Sequence, residues 1–250
     1  MPSSLAVVDE TCRRLGYLPG SATAEDVRKG FNSMLRRLFD ETLNVLEEHE
    51  RRIDGGQILP EFVQLQRADI ERERQEMRRE GDDESALQAA VTRLLGNWRE
   101  TLRGIFLSIS QSRKQRGGKD FEYQIQRLLE LAQIPHEVQP RRERADFILP
   151  SADLLQRDRP KAVLLSAKRT LRERWQEVVD ELQRVGCPNT YLATTDESFT
   201  QNVVGEIGKR NIYLVVWDEV KQRKFAGVAA VVGYSKFIAD LTGHFLPQWS

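Results

Sequence analysis

The chain has 250 residues, enough for one large or two small domains, and its 38 basic and 38 acidic side chains give no net charge at pH 7. This balance does not exclude nucleic-acid binding, because the distribution of charge matters, and residues 113–119 and 141–144 are basic. Two cysteines without metal-ligand spacing indicate a reducing compartment, and no apolar run reaches transmembrane length. We therefore expect a cytoplasmic protein with no membrane partner.

The first hundred residues carry helical patterns only. Apolar residues recur near a 3.6-residue period, and Pro60 stands where a helix tolerates proline, at its first turn. The predicted helices cover 4–15, 24–53, 60–80 and 85–112. Asp54-Gly55-Gly56 and Gly117-Gly118 are expected to interrupt the helices around them.

After Gly118 the pattern changes to strands that alternate with helices. The predicted elements are a helix over 120–133, strands over 137–139, 146–149 and 162–166, a helix over 171–185, a strand over 190–194, a helix over 199–209, a strand over 212–217 and a helix over 226–241. Such alternation indicates an α/β layer with some parallel strand pairs. We therefore expect a helical module over 1–98 followed by an α/β module over 99–250.

One stretch pairs a carboxylate on one predicted strand with a lysine on the next. Asp146 begins the run Asp-Phe-Ile-Leu-Pro, and Lys168 ends the run Leu-Leu-Ser-Ala-Lys. The strand period of two places Ser166 and Lys168 on one face. A carboxylate can hold Mg²⁺ against a phosphodiester while a lysine ammonium orients the attacking water and offsets charge on the phosphorane. Such a pair also arises often by chance, so further residues must support it.

Two more carboxylates are candidates for the same site. Glu181 falls at the border of the apolar stripe of the helix over 171–185, where it faces the sheet edge. Glu122 lies one turn into the helix after Gly117-Gly118 and flanks its apolar stripe. The alternative for both is a solvated charge on a helix surface.

A charged triplet opens the helix that follows the lysine. Arginine binds guanine O6 and N7 with two hydrogen bonds, and glutamate accepts a hydrogen bond from cytosine N4. Arg172, Glu173 and Arg174 are therefore suited to read adjacent G·C pairs in the major groove. The alternative is an exposed helix end with salt bridges.

Residues 166–175 (Ser-Ala-Lys-Arg-Thr-Leu-Arg-Glu-Arg-Trp), together with Glu181, resemble the type II restriction endonucleases of the EcoRII C-terminal domain/SsoII/PspGI branch. That branch belongs to the CCGG-recognising group with the PD-(D/E)XK fold. The resemblance covers roughly residues 100–220. Two departures are Ala145, where proline is usual, and Ser166, where many members have Asp or Glu. The resemblance implies that the Glu181 carboxylate occupies the space that a carboxylate at position 166 would fill.

The resemblance implies a fold and a set of functional residues. The fold is an α/β PD-(D/E)XK core, a central mixed sheet flanked by helices, with an all-helical N-terminal module over 1–98 for DNA binding or dimerisation. The implied catalytic residues are Glu122, Asp146, Lys168 and Glu181, with Mg²⁺ held by Asp146, Glu181 and Glu122. Residues 172–174 would read the CC:GG pairs.

The resemblance also implies an activity and partners. It implies Mg²⁺-dependent double-strand cleavage of double-stranded DNA at a CC-N-GG or CC-W-GG site by a homodimer. The cognate DNA methyltransferase of the same restriction–modification system is the expected partner. The alternatives are an enzyme with other bases outside a CCGG core, a junction-resolving nuclease of this fold, and a non-catalytic DNA-binding protein of this fold.

Some members of this branch disrupt the central base pair by base flipping, and an aromatic wedge would fill the vacated stack. Phe62 is the candidate wedge here, although a phenylalanine on a helix more often lies in a core. Gln111 is a candidate contact for the minor groove, and a solvent-exposed role is its alternative. The candidate contacts to backbone phosphates are Arg113, Lys114, Arg116 and Lys119.

Overall fold

The computed structural model describes residues 2–81, 83–138, 145–171 and 175–249, and for residues 112–116 it describes the backbone alone. The chain forms two compact units. The helical unit comprises Asn44–Arg116 with the first two residues, and the sheet unit comprises Ser3–Leu43 and Gly117–Ser250. Two long helices, α2 (Ala24–Ile53) and α5 (Glu84–Leu131), contribute residues to both units.

The helical unit is held together by contacts between its successive helices. Between α2 and α5 it contains a π-helical turn (Asp54–Ile58), α3 (Leu59–Leu65) and α4 (Arg67–Glu80). Arg93 on α5 donates to Glu73 on α4 at 2.7 Å, and Glu73 is almost fully buried. Phe62 on α3 packs edge-on against Trp98 on α5, with ring centroids 5.2 Å apart. These pairs join α3 and α4 to α5.

The sheet unit contains one sheet of six strands in the order β1-β2-β3-β4-β5-β6. The strands are β1 (Glu137–Val138), β2 (Phe147–Leu149), β3 (Val163–Lys168), β4 (Thr190–Thr194), β5 (Ile212–Val216) and β6 (Val231–Gly233). The first three pair antiparallel and β3 to β6 pair parallel. The predicted α/β layer with parallel pairs is therefore confirmed.

Helices flank this sheet. Besides the parts of α2 and α5, they are α1 (Ser4–Leu15), α6 (Ala152–Arg157), α7 (Trp175–Val185), α8 (Gln201–Gly208), α9 (Asp218–Phe225) and α10 (Tyr234–Asp240). Local sequence sets several ends: the Ser3 hydroxyl caps α1 by accepting from the N–H of Ala6, and Gly16 closes it with a φ of 71°. Residues 163–167 of β3 are all buried, as expected for a strand covered on both faces.

Three predicted boundaries are wrong. Asp54-Gly55-Gly56 do not break the helix, because the backbone widens into a π-helical turn that leads directly into α3. Gly117-Gly118 lie within the continuous helix α5, where a glycine costs only about 1 kcal/mol relative to alanine. The segment 226–241, predicted as one helix, instead contains the turns that follow α9, the strand β6 and the helix α10. The β-branched pair Val231-Val232 favours the strand.

Three further predictions concern the cysteines, membrane-spanning helices and the boundary between the two modules. Both cysteines, Cys12 and Cys187, are free and buried. Among the described residues, no helix has the length and apolar character needed to cross a bilayer. The boundary predicted after residue 98 lies within α5, and the separate roles assigned to the two modules stay predictions.

Candidate active site

The antiparallel pairing of β2 with β3 positions the predicted carboxylate and lysine. Phe147 pairs with Leu165 and Ile148 with Leu164, so Asp146, the residue before β2, lies opposite Ser166. The side chains of Ser166 and Lys168 both contact Asp146, which confirms that they share one face of β3. The backbone of a single strand pair therefore brings these groups together.

Three donors converge on one oxygen of Asp146. Its Oδ2 accepts from Ser166 Oγ at 2.8 Å, from the N–H of Ala167 at 2.7 Å and from Lys168 Nζ at 2.8 Å. Only 10% of the Asp146 side chain is exposed, whereas the Lys168 side chain is 33% exposed. The buried carboxylate is thus held in place by three donors, one of which is the Lys168 ammonium. The ammonium itself remains within reach of solvent and of a bound phosphate. Bonds from charged donors to a fixed carboxylate are the strong kind in proteins.

Glu122 on α5 belongs to the same electrostatic environment. Burial raises the pKa of the Glu122 carboxyl above its usual range, and the negative charge of Asp146 raises it further. Lys119, whose Nζ lies 2.6 Å from Glu122 Oε2, and Lys168 both oppose this rise in the pKa. Two carboxylates that repel each other beside two lysines suit a divalent cation, because a cation between them would remove the repulsion.

The third predicted carboxylate, Glu181, is partly buried on α7. By helical spacing it lies beside Val178 and Val185, which pack against the core of the sheet unit, so it borders the apolar stripe as expected. In the part of the chain that the structure describes, no three acidic, histidine or cysteine side chains are grouped closely enough to enclose a metal ion. The role of Glu181 as a ligand stays a prediction.

The predicted DNA contacts are described unevenly. Arg172, Glu173 and Arg174 lie outside the described residues, as do the side chains of Arg113, Lys114 and Arg116. Gln111 is exposed, and Lys119 pairs with Glu122. Phe62 is only 7% exposed, so in this conformation it packs as a core residue against Trp98. Its role as a wedge, like the other DNA contacts, stays a prediction.

The structure adds residues that the sequence did not single out. Thr195 and Asp196, in the loop after β4, bind backbone groups of Arg169 and Leu171, directly after Lys168. The guanidinium of Arg169 lies over the ring of Phe39, 5.2 Å from its centroid. A carboxylate at the C-terminal end of a parallel strand is the one signal that could have identified Asp196.

Comparison with known proteins identifies relatives of this site. The family model described as EcoRII C terminal matches residues 86–238, which is more than half of the chain. The type II restriction enzyme SsoII of Shigella sonnei is 35% identical over 130 residues. That alignment covers 48% of this chain and 43% of SsoII, so the chain matches less than half the length of this curated relative.

Solved structures with the same fold are complexes of restriction enzymes with DNA. Metal-depleted Ecl18kI in complex with uncleaved, modified DNA has a TM-score of 0.79 at 23% identity, covering 100% of this chain and 80% of that one. The PspGI–substrate DNA complex has a TM-score of 0.64 at 19% identity, covering 99% and 94%. These likenesses confirm the expected fold class, a PD-(D/E)XK restriction-endonuclease-like mixed sheet flanked by helices.

Proposed function

The chain belongs to the EcoRII C-terminal family, and on that premise we propose that it is a type II restriction endonuclease that hydrolyses double-stranded DNA. The observation that carries the proposal is the contact between Asp146 and Lys168, made through Oδ2 and Nζ at 2.8 Å on one face of β3. Glu122 lies close enough for its pKa to respond to both residues. A buried carboxylate, a second carboxylate and a partly exposed lysine are a set of groups suited to metal-assisted phosphodiester hydrolysis.

Each side chain has a distinct role in the proposed reaction. Lys168 orients the attacking water and stabilises the negative charge that develops on the phosphorane, because its ammonium is both fixed by Asp146 and open to solvent. Ser166 and the N–H of Ala167 hold the Asp146 carboxylate in place before substrate arrives, which lowers the cost of reorganisation. The reaction breaks one phosphodiester bond in each strand.

The residues at this site fit Mg²⁺. Hard oxygen ligands suit this ion, which is usually bound by one or two carboxylates, with waters and substrate phosphates completing its shell. Asp146 and Glu122, with Glu181 as the third carboxylate, would hold it, and when bound it would polarise the phosphate and offset its charge. The mutual repulsion of Asp146 and Glu122 is the observation that supports this fit.

We further propose that the target is a short palindrome of the CC-N-GG or CC-W-GG type. Arg172, Glu173 and Arg174 would read the CC:GG pairs through the hydrogen-bonding edges that guanine and cytosine present in the major groove. A homodimer with one active site per subunit would match the dyad of such a site and cut both strands. A cognate methyltransferase in the cytoplasm would protect the host's own sites.

Digestion of a sequenced plasmid tests this proposal directly. We expect the purified protein with Mg²⁺ to give discrete fragments whose mapped ends all share one palindrome, and expect chelation of the metal to stop the reaction. A protein that binds DNA without cutting it in Mg²⁺ would be a non-catalytic relative. Cutting that follows branched structure and no fixed sequence would identify a junction-resolving nuclease.

A further inference from the structure

The three residues between Lys168 and Arg172 run beside the loop that follows β4. Strands β3 and β4 are parallel, and Lys168 pairs with Thr194 at their shared end. The chain therefore leaves the sheet at two neighbouring points. Residues 169–171, here called the connection, continue from Lys168, and residues 195–198 continue from Thr194.

Two side chains of the loop after β4 bind the backbone of the connection. Thr195 Oγ1 donates to the carbonyl of Arg169 at 3.0 Å, and Asp196 Oδ2 accepts from the N–H of Leu171 at 3.0 Å. The other oxygen of Asp196 accepts from the N–H of Ser198 at 2.8 Å and from its hydroxyl at 2.6 Å. The Asp196 carboxylate is therefore oriented by its own loop while it binds the connection.

Both sides of this contact are anchored in the core of the sheet unit. On the loop side, the buried hydroxyl of Tyr234 donates to the carbonyl of Thr194 at 3.2 Å. On the connection side, the Arg169 guanidinium lies over Phe39 and against Gly117. Leu171 is 2% exposed. The connection thus has its backbone, one cation and one apolar side chain all fixed.

We infer that Asp196 and Thr195 are positioning residues for sequence recognition, because they fix the backbone that joins Lys168 to Arg172, Glu173 and Arg174. This inference rests on the proposed function. Three residues separate the lysine that supports cleavage from the first arginine of the triplet, so a shift of the connection moves one relative to the other. A misplacement of about 1 Å from the productive geometry can lower a rate about a hundredfold. Asp196 and Thr195 therefore couple correct base reading to cleavage through the backbone of the connection.

The test compares cleavage of the mapped site with cleavage of duplexes in which one C·G pair is changed. Discrimination is the ratio of kcat/KM for the mapped site to that for the altered one. Asp196→Ala is expected to lower this ratio about tenfold, as for the loss of one hydrogen bond to a charged acceptor. Thr195→Val removes only the hydroxyl that donates to Arg169 and should also lower the discrimination ratio. Thr195→Ser keeps that hydroxyl and should retain wild-type discrimination.

Thr200→Ala is the matched control for a purely structural effect. The Thr200 hydroxyl caps α8 in the next stretch of chain by accepting from the N–H of Val203, and among the described residues no hydrogen bond joins its side chain to the connection. This variant should lose stability but keep wild-type discrimination. If Asp196→Ala does not fold, Thr195→Val and Thr195→Ser decide the question.

The outcomes separate the inference from the proposed function. A wild-type chain that cuts no DNA overturns the function and the inference together. A wild-type chain that cuts one sequence, while Asp196→Ala and Thr195→Val discriminate as well as it does, overturns the inference alone. An equal loss of discrimination in Thr200→Ala also overturns it, because general destabilisation would then explain the effect.

Discussion

The guanidinium of Arg169 occupies the space that a side chain at position 117 would need. A β-carbon placed on Gly117 would collide with Nη1 of Arg169 and lie 3.3 Å from its Cδ, whereas one placed on Gly118 would meet no atom within 4 Å. Because Gly117 has no side chain, the Arg169 guanidinium can lie between α5 and the ring of Phe39 on α2. Gly117 therefore serves a close approach of Arg169 to the helix.

The first prediction compares alanine at these two glycines. Gly118→Ala should raise the free energy of unfolding by about 1 kcal/mol, because alanine favours a helix interior over glycine. Gly117→Ala gains the same helical preference but must displace Arg169 from Phe39, a cation–π contact of about 1 kcal/mol. Urea unfolding should therefore place Gly117→Ala below Gly118→Ala. Equal midpoints would show that Arg169 moves aside without cost.

The second prediction concerns Lys168. Lys168→Ala should lower the cleavage rate by at least about a hundredfold, as expected when a positioned group that stabilises transition-state charge is removed. Specific DNA binding, measured by gel shift without divalent metal, should persist. Lys209→Ala removes an exposed lysine paired with Glu206 on α8 and is the control that should cut normally. A Lys168→Ala enzyme that cuts at the wild-type rate would end the assignment.

The third prediction tests whether Glu181 replaces the carboxylate that Ser166 does not supply. Glu181→Ala should reduce both cleavage and the rise in Tm that Mg²⁺ causes, because bound metal stabilises only the folded state. Adding Ser166→Glu to that variant should restore part of both, since it returns a carboxylate to the strand beside Asp146. Glu177→Ala, on the exposed side of α7, is the control. No recovery in the double variant would argue against this replacement.

The fourth prediction follows from the buried thiol of Cys12. Burial raises its pKa to about 11; Arg127 opposes this rise, and Asp9 and Glu130 add to it. An unfolded thiol ionises near pH ~8.5. The unfolded state therefore loses its proton first, and the stability that the neutral thiol contributes is complete below that pH and declines as the pH rises towards 11.

Urea unfolding at several pH values measures this effect. Between pH ~9 and ~11 the free energy of unfolding of the wild type should fall faster than that of Cys12→Ala, by at most about 1.4 kcal/mol per pH unit. Tyr17 also titrates in this range and Cys12 contributes to raising its pKa, so both proteins carry Tyr17→Phe and the difference then isolates Cys12. Parallel curves would show that the thiol ionises alike in the folded and unfolded states.

Strand periodicity made part of the site predictable. Asp146 and Lys168 lie in short apolar runs, and a period of two was sufficient to place Ser166 and Lys168 together. Glu122 could be proposed from its position on a helix, but its proximity to Asp146 depends on how α5 packs against the sheet, which no local pattern contains. Thr195 and Asp196 were missed for the same reason, because their partners are about 25 residues away in the chain.

The wrong boundaries have similar causes. In the local sequence, Gly117 and Gly118 look like a break between two helices. The contact that favours glycine at position 117 is made by Arg169, which follows β3 and lies about 50 residues further along the chain. The strand β6 is only three residues long, and its pairing with β5 outweighs the helical propensity of the alanines before it. Both cases are tertiary contacts that override local preference.

The antiparallel pairing of β2 with β3 has a consequence for the proposed activity. A slip of that pairing by one residue would send Asp146 and Ser166 to opposite faces of the sheet, because side chains alternate along each strand. A molecule with that register would then lack the arrangement on which the proposed nuclease activity depends. A slip of this pairing would therefore be expected to yield inert protein.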